Sequence, residues 1–183
     1  MGFSRFLLKS MGWTTVGGVV PENRCVILEA PHTSIWDFVI GFLYYRSVGG
    51  RLRVMIKKEA FVFPLNLLLR AMGGFPIDRS NPQATLLSIV HEMENQGGRP
   101  VHLVICPEGT RKAIRKWKTG YHAIARGAGI PVYISFIDWK AKRVGIWGKV
   151  ELTDNAREDT NRIQEIYESL NLTGKHPDGY VTR

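Results

Sequence analysis

RCVILEA at Arg24–Ala30, followed directly by PHTSIWD at Pro31–Asp37, decides how this chain folds. The first stretch is apolar apart from Arg24 and Glu29, and it reads as a buried strand. Pro31 closes it, and an apolar run from about Trp36 to Arg46 then continues at helical length. A strand, a short turn and a helix in that order form the repeating unit of an α/β fold.

The alternation recurs outward from that unit. Arg51–Ile56 reads as a strand, with a Leu-rich helical segment after Pro64. Gly73-Gly74 breaks that segment before a short strand at Phe75–Ile77. Asn81-Pro82 starts a helix, a capping residue followed by proline at the first helical position, which runs to about Gln96. Val101–Cys106 reads as a strand and Gly120–Ala128 as a helix closed by Gly129. Strands at Pro131–Ile137 and Lys142–Trp147 precede a closing amphipathic helix at Asn155–Leu170, where Asn155 and Glu158 are spaced as a capping pair. No repeat, linker or low-complexity tract interrupts the chain. The reading predicts one α/β domain over residues 1–183, with a mixed, mostly parallel sheet flanked by helices.

Composition fits a folded enzyme-sized domain. The chain has 183 residues, 44% hydrophobic and 22% charged, which excludes a disordered segment. Its 25 Lys+Arg against 16 Asp+Glu give +9, so an anionic partner is expected. Cys25 and Cys106 form no framework spacing, and no secretory leader precedes the first strand, which points to a reducing, cytoplasmic-facing setting. No apolar run reaches the roughly 18 residues a membrane span needs. Met1–Trp13 instead places Phe3, Phe6, Leu7, Met11 and Trp13 among Arg5 and Lys9 at helical spacing, so a short basic helix lying on a membrane surface is expected there, with a terminal helix packed on its own domain as the alternative.

The turn after the first long strand carries His32, with Asp37 five residues on. Inside one helix such residues point about 140° apart, at ~100° per residue. They meet only if the helix begins near Ser34 and His32 folds back over its first turn. A neutral imidazole can then take a proton from a hydroxyl, and the carboxylate fixes its tautomer and stabilises the imidazolium. Taken alone, the spacing fits a capping histidine equally well. A metal site is not expected, because no cluster of ligand types accompanies His32 in the sequence.

A second site follows another strand. Pro107-Glu108-Gly109-Thr110-Arg111 combines a buried-sheet end, a glycine turn and a cation that grips phosphate in a bidentate manner. Arg79, after Gly73–Asp78, and Lys57-Lys58-Glu59 place further cations after other strands. Three basic sites after three strands can converge on one mouth, or can be ordinary solvated charge.

Taken together, these blocks resemble the glycerophospholipid acyltransferases of the lysophosphatidic acid acyltransferase type. His32 and Asp37 match the family's His, four residues, Asp. Gly73 to Arg79 resembles its Gly-x-x-x-x-Asp-Arg block, and Pro107–Arg111 is its Pro-Glu-Gly-Thr-Arg block intact. Ile130–Ile134 resembles the apolar strand opened by proline, and Trp117–Gly120 the Phe-Lys-x-Gly that follows the third block. Pro31 departs from the family's usual Asn.

The resemblance implies transfer of a fatty acyl group from a thioester, acyl-CoA or acyl carrier protein, to the free hydroxyl of a lysophospholipid such as 1-acyl-glycerol-3-phosphate. His32 would be the base and Asp37 its holder. Lys57, Arg79, Gly109, Thr110 and Arg111 would bind the acceptor, while Glu108 would position the acceptor or an arginine. No cofactor beyond the thioester is expected, and the missing motifs argue against a metal and a nucleic acid partner. The charge with the basic N-terminal segment points to peripheral attachment at the inner face of the cell membrane, although members of the family with longer N-terminal membrane helices have more anchor than this chain. Two readings from other classes stand beside it, an acyl-thioester hydrolase and a non-enzymatic anionic-lipid binder; the Gly-x-Ser-x-Gly elbow of many hydrolases is absent. Phe38–Tyr45 and Phe61–Leu69 are expected as core packing, with an acyl tunnel as the alternative. Cys106 is expected to be a packed strand end rather than a nucleophile.

Overall fold

The sheet is built in the order β1-β7-β6-β2-β5-β3-β4, with every pairing parallel except β6 with β7. Its strands are β1 Thr14–Val16, β2 Arg24–Ala30, β3 Leu52–Lys57, β4 Gly74–Ile77, β5 Val101–Ile105, β6 Val132–Asp138 and β7 Arg143–Val150. The helices are α1 Gly2–Ser10, α2 Ile35–Ser47, α3 Leu65–Ala71, α4 Gly120–Ala128 and α5 Ala156–Ser169. This computed structural model describes residues 2–78, 80, 85, 87–91 and 100–181. The helix expected over Asn81–Gln96 lies largely outside the described residues, although 85 and 87–91 are helical.

The place of β2 in the sheet explains why its sequence is apolar apart from Arg24 and Glu29. The strand sits between β5 and β6, so both faces are covered and alternate side chains enter two different cores. Val26, Leu28 and Ala30 pack with Trp117, Tyr121, Ile124, Ile163 and Tyr167 beneath α4 and α5. Cys25 and Ile27 face the other way, toward Leu8, Ile40, Tyr44 and Tyr45 beneath α1 and α2. Tyr45 also satisfies a buried histidine: its hydroxyl lies 2.5 Å from His102 Nδ1.

The chain turns between strands where glycine permits it. Gly73 has φ +88°, and a Cβ there would lie 2.0 Å from the Leu52 carbonyl oxygen, so β4 starts flush against β3 only without a side chain.

Several boundaries differ from expectation. The N-terminal helix ends at Ser10, and Thr14–Val16 adds an edge strand against β7, too short for a sequence pattern to reveal. Trp13 is not a membrane contact. It is buried, with its ring edge-on to Trp139 at 5.0 Å, while Leu8 anchors α1 in the core and Phe3 and Phe6 stay exposed. β7 runs three residues beyond the expected end. At α5, Asn155 accepts from the Arg157 and Glu158 N–H groups, but its own N–H donates to Thr153 Oγ1 rather than to Glu158. Phe61–Leu69 is not core: of Val62, Phe63, Leu65, Leu67, Leu68 and Leu69, only Leu69 is buried. No helix among the described residues is long and apolar enough to cross a membrane.

Candidate active site

Strands β2 to β6 run in one direction and end on one edge of the sheet, where the loops after β2, β3, β5 and β6 gather; open α/β sheets place their ligands at such an edge. β2 ends at Ala30, and α2 begins at Ile35 with Ser34 as its N-cap. His32 therefore lies just outside the helix, as its spacing to Asp37 requires. The helix start is a capping box. Ser34 Oγ accepts from the Trp36 N–H, and Asp37 Oδ2 accepts in return from the Ser34 N–H at 2.7 Å.

Asp37 is completely buried and does more than cap. Oδ2 also accepts from the Thr33 N–H at 2.7 Å, and Oδ1 accepts from Trp139 Nε1 at 2.7 Å. His32 Nδ1 lies 3.5 Å from Oδ2, close enough for charge attraction but beyond an ordinary hydrogen bond. That nitrogen is buried without a hydrogen-bond partner among the described residues. Catalytic hydrogen bonds are often long before substrate binds and tighten afterwards.

Glu108 sits on the other side of His32. It is buried, and its Oε2 accepts from the His32 backbone N–H at 2.8 Å, so it holds the histidine loop rather than reaching an arginine. Burial, together with the charge on Asp37, pushes its carboxyl up to about 8. Glu29, buried beneath α2 with Oε2 against Gly41, is raised well above its ordinary value by burial first, then by Asp37 and Glu108. Glu108 thus keeps its proton near pH 7.

This predicts a specific pH dependence. Unfolded, Glu108 ionises near its ordinary 4.5, whereas folded it keeps its proton to about 8. Its contribution is therefore full below about 4.5 and is lost as pH rises toward 8. A single retained proton corresponds to about 1.4 kcal/mol per pH unit, roughly 3–6 °C in Tm for a chain of this size. Glu108→Gln keeps an acceptor for His32 and should flatten the fall of Tm with pH, leaving the share that belongs to Glu29. Melting curves across that window that superimpose for the two proteins would contradict it.

The structure also brings together a group that the linear sequence does not show. Donor atoms of Glu29, His32 and Cys106 lie within 4.8 Å of one another. The β2–β5 register causes this, because Leu28 faces Ile105, and the residues that follow are Glu29 in β2 and Cys106 just past the end of β5. Cys106 is partly buried and outside any disulfide.

Arg111 reaches an open cleft of about 540 Å³ beside His32, lined by Thr33, Ser34, Ile35, Trp36, Arg111, Lys175 and His176. Gly109 makes the preceding turn with φ +67°, and Lys118 packs where its Cβ would be. The Lys118 N–H donates to the Pro107 carbonyl, so the Trp117–Gly120 segment clasps the Pro107–Arg111 turn. Thr110 Oγ1 is engaged by the Lys112 N–H. Lys57, at the end of β3, is exposed on the same sheet edge, and its neighbour Lys58 pairs with Asp78 at 2.5 Å. Arg79 lies outside the described residues. Sequence reasoning missed Trp139 and Lys175. Trp139 follows β6 immediately, and only the fold carries it to the histidine loop.

The acyltransferase family model matches residues 14–136, about two thirds of the chain, and so takes in both loops. The chain belongs to the acyltransferase family. Among curated proteins it is 31% identical over 119 residues to a 1-acyl-sn-glycerol-3-phosphate acyltransferase of Pseudomonas aeruginosa, covering 62% of this chain and 44% of that protein. It is 30% identical over 112 residues to one of Streptococcus pneumoniae, covering 61% of this chain and 40% of that protein. The matches thus span less than half the length of these relatives.

Proposed function

We propose that this acyltransferase moves a fatty acyl group from acyl-CoA or acyl carrier protein to the free hydroxyl of a lysophospholipid, with 1-acyl-glycerol-3-phosphate the first acceptor to test. The observation that carries the reading is the His32–Asp37 pair standing next to a cleft that Arg111 makes cationic. His32 takes the acceptor's hydroxyl proton as its oxygen attacks the thioester carbonyl carbon. The new C–O bond forms, the C–S bond breaks, and the thiolate leaves with the proton returned by the imidazolium. Asp37 stabilises that imidazolium; Glu108 fixes the backbone that carries it. Arg111, with Lys57 and Arg79 as further cations, holds the acceptor phosphate, and Gly109 and Thr110 shape the turn presenting Arg111. Holding both reactants in line is itself worth several kcal/mol. The reaction needs no cofactor beyond the thioester co-substrate.

The acyl chains have no tunnel beneath α2, where the cavity between helix and sheet holds only about 10 Å³. The exposed apolar run at Val62, Phe63, Leu67 and Leu68, with Lys57 and Lys58 nearby in sequence, instead suits a lipid surface. In this reading the enzyme sits peripherally on the anionic inner face of the cell membrane. Phe63, 82% exposed, and Leu67 are the residues to change. Phe63→Ser with Leu67→Ser should weaken partitioning to anionic vesicles by roughly tenfold or more, measured by flotation; unchanged partitioning would place the lipid contact elsewhere.

The deciding experiment incubates purified protein with each thioester donor, with and without lysophospholipid, and reads products by mass spectrometry. Acceptor-dependent diacyl product supports the reading. Free fatty acid irrespective of acceptor would make the protein a thioester hydrolase, and vesicle binding without turnover a lipid-binding module.

A further inference from the structure

The chain beyond α5 does not trail away from the site. The Thr173 carbonyl accepts from the Trp139 N–H at 2.9 Å, and the His176 N–H donates to Thr33 Oγ1 at 3.2 Å. Gly174 lies so close to Thr33 that a Cβ would come within 2.6 Å of its methyl group, and Gly179 abuts both Thr33 and the Arg111 carbonyl. The segment from Thr173 to Tyr180 is therefore laid across the His32 loop and the Arg111 loop at once, and Tyr180 packs into the core behind it.

Its one cation is placed with care. Lys175 Nζ sits 4.8 Å from the Trp36 ring centre and 4.9 Å from that of Trp139, so two indole faces flank the ammonium. The stem is held by that packing, and part of the water shell around the charge is replaced by rings. No carboxylate among the described residues forms an ion pair with Lys175 or with Arg111. Both line the same cleft, one residue along from His32. A cleft bordered by two uncompensated cations, one of them immobilised, is built to receive an anion; a clasp that merely fastened the segment would not need a charge facing open space.

We infer that the segment Thr173–Tyr180 is the third wall of the acceptor site, with Lys175 binding the acceptor's phosphate opposite Arg111. Residue 175 lies outside the stretch 14–136 that the family model matches, so the family match by itself says nothing of this cation. The inference rests on the acyl-acceptor reading above for the identity of the anion, but not for its existence. Lys175 acts on binding, whereas its neighbour Trp139 acts on Asp37, and the two effects separate in kinetics.

The test uses the full chain with Lys175→Met, which retains the stem between the rings and removes the charge, Lys175→Arg, which restores a charge, and Lys175→Ala. Acceptor KM for lysophosphatidate in uncharged detergent micelles should rise roughly ten- to a hundredfold in the Met and Ala variants, as for loss of a charge-assisted contact. Donor KM and kcat should hold, melting temperature should hold in the Met variant that keeps the stem, and Lys175→Arg should recover most of the affinity. A fall in kcat with acceptor KM unchanged would show a fastening role and overturn the inference. A titration with glycerol 3-phosphate, followed by fluorescence of the tryptophans flanking Lys175, keeps the question answerable should the protein transfer no acyl group at all. Saturable binding that Lys175→Met weakens supports the anion site on its own. Equal midpoints in both proteins, or no saturable response in either, overturn it.

Discussion

His32→Ala is expected to lower kcat by roughly 10²–10⁴, the usual range for loss of a positioned general base, while leaving the fold in place. The separation of these two effects comes from how the loop is held. Its anchors are the His32 backbone N–H on Glu108, the Thr33 and Ser34 N–H groups on Asp37, and the Thr33 hydroxyl under the His176 N–H. None involves the imidazole, whose Nδ1 has no hydrogen-bond partner among the described residues. Removing the ring therefore deletes chemistry without deleting structure. Melting temperature should be nearly unchanged and acceptor KM little altered, since Arg111 does not depend on the ring. Full transferase turnover by His32→Ala in the donor–acceptor assay would sink the assignment. A His32→Gln variant controls for the space left behind, because it fills the site without a titratable nitrogen and should be equally slow.

The sequence carried the strand–turn–helix unit because β2 is buried on both faces, and double burial leaves an apolar run that needs no partner to be recognised. It also carried the position of His32, because a five-residue offset to Asp37 has only one local geometry that brings the two together. What it did not carry was anything that depends on strands meeting across the sheet. Glu29 and Cys106 lie far apart in the chain, and only the β2–β5 register sets them side by side. Trp139 and Lys175 are invisible for the same reason, since a tryptophan after one strand and a lysine near the C-terminal end acquire a role only when the sheet edge folds them over α2. The apolar run at Phe61–Leu69 misleads in the opposite direction. Its composition is that of a core segment, but the chain there exposes most of it, so composition alone could not separate core from exposed apolar surface. The capping box at Ser34 and Asp37 was present in the sequence at the usual spacing; reading Asp37 only as a partner for histidine obscured it.

That double employment of Asp37 makes its replacement the most damaging change expected in the molecule. Its two oxygens accept from the Thr33 and Ser34 N–H groups and from Trp139 Nε1, and the residue has no exposure. Asp37→Ala leaves these donors without an acceptor, at about 1–3 kcal/mol each for those that water cannot reach. A loss of roughly 3–6 kcal/mol is a large part of the stability of an ordinary domain, so this variant should be mostly unfolded or strongly lowered in Tm. Asp37→Asn is the informative partner. One amide oxygen can serve either the capping N–H pair or the indole, and the amide NH₂ must then face a donor on the other side. Stability should fall by about half as much, and kcat by roughly 10²–10⁴ because the imidazolium loses its counter-charge. Trp139→Phe completes the series by removing the indole donor while leaving a smaller ring beside Trp13 and Lys175. The capping box survives, so Tm should drop modestly, by the roughly 1 kcal/mol of one hydrogen bond, while kcat falls further than that loss of stability would explain, because Oδ1 is no longer held. Parallel losses of Tm and kcat across all three variants, with no excess effect on turnover, would reduce Asp37 to a helix cap and leave His32 without its carboxylate.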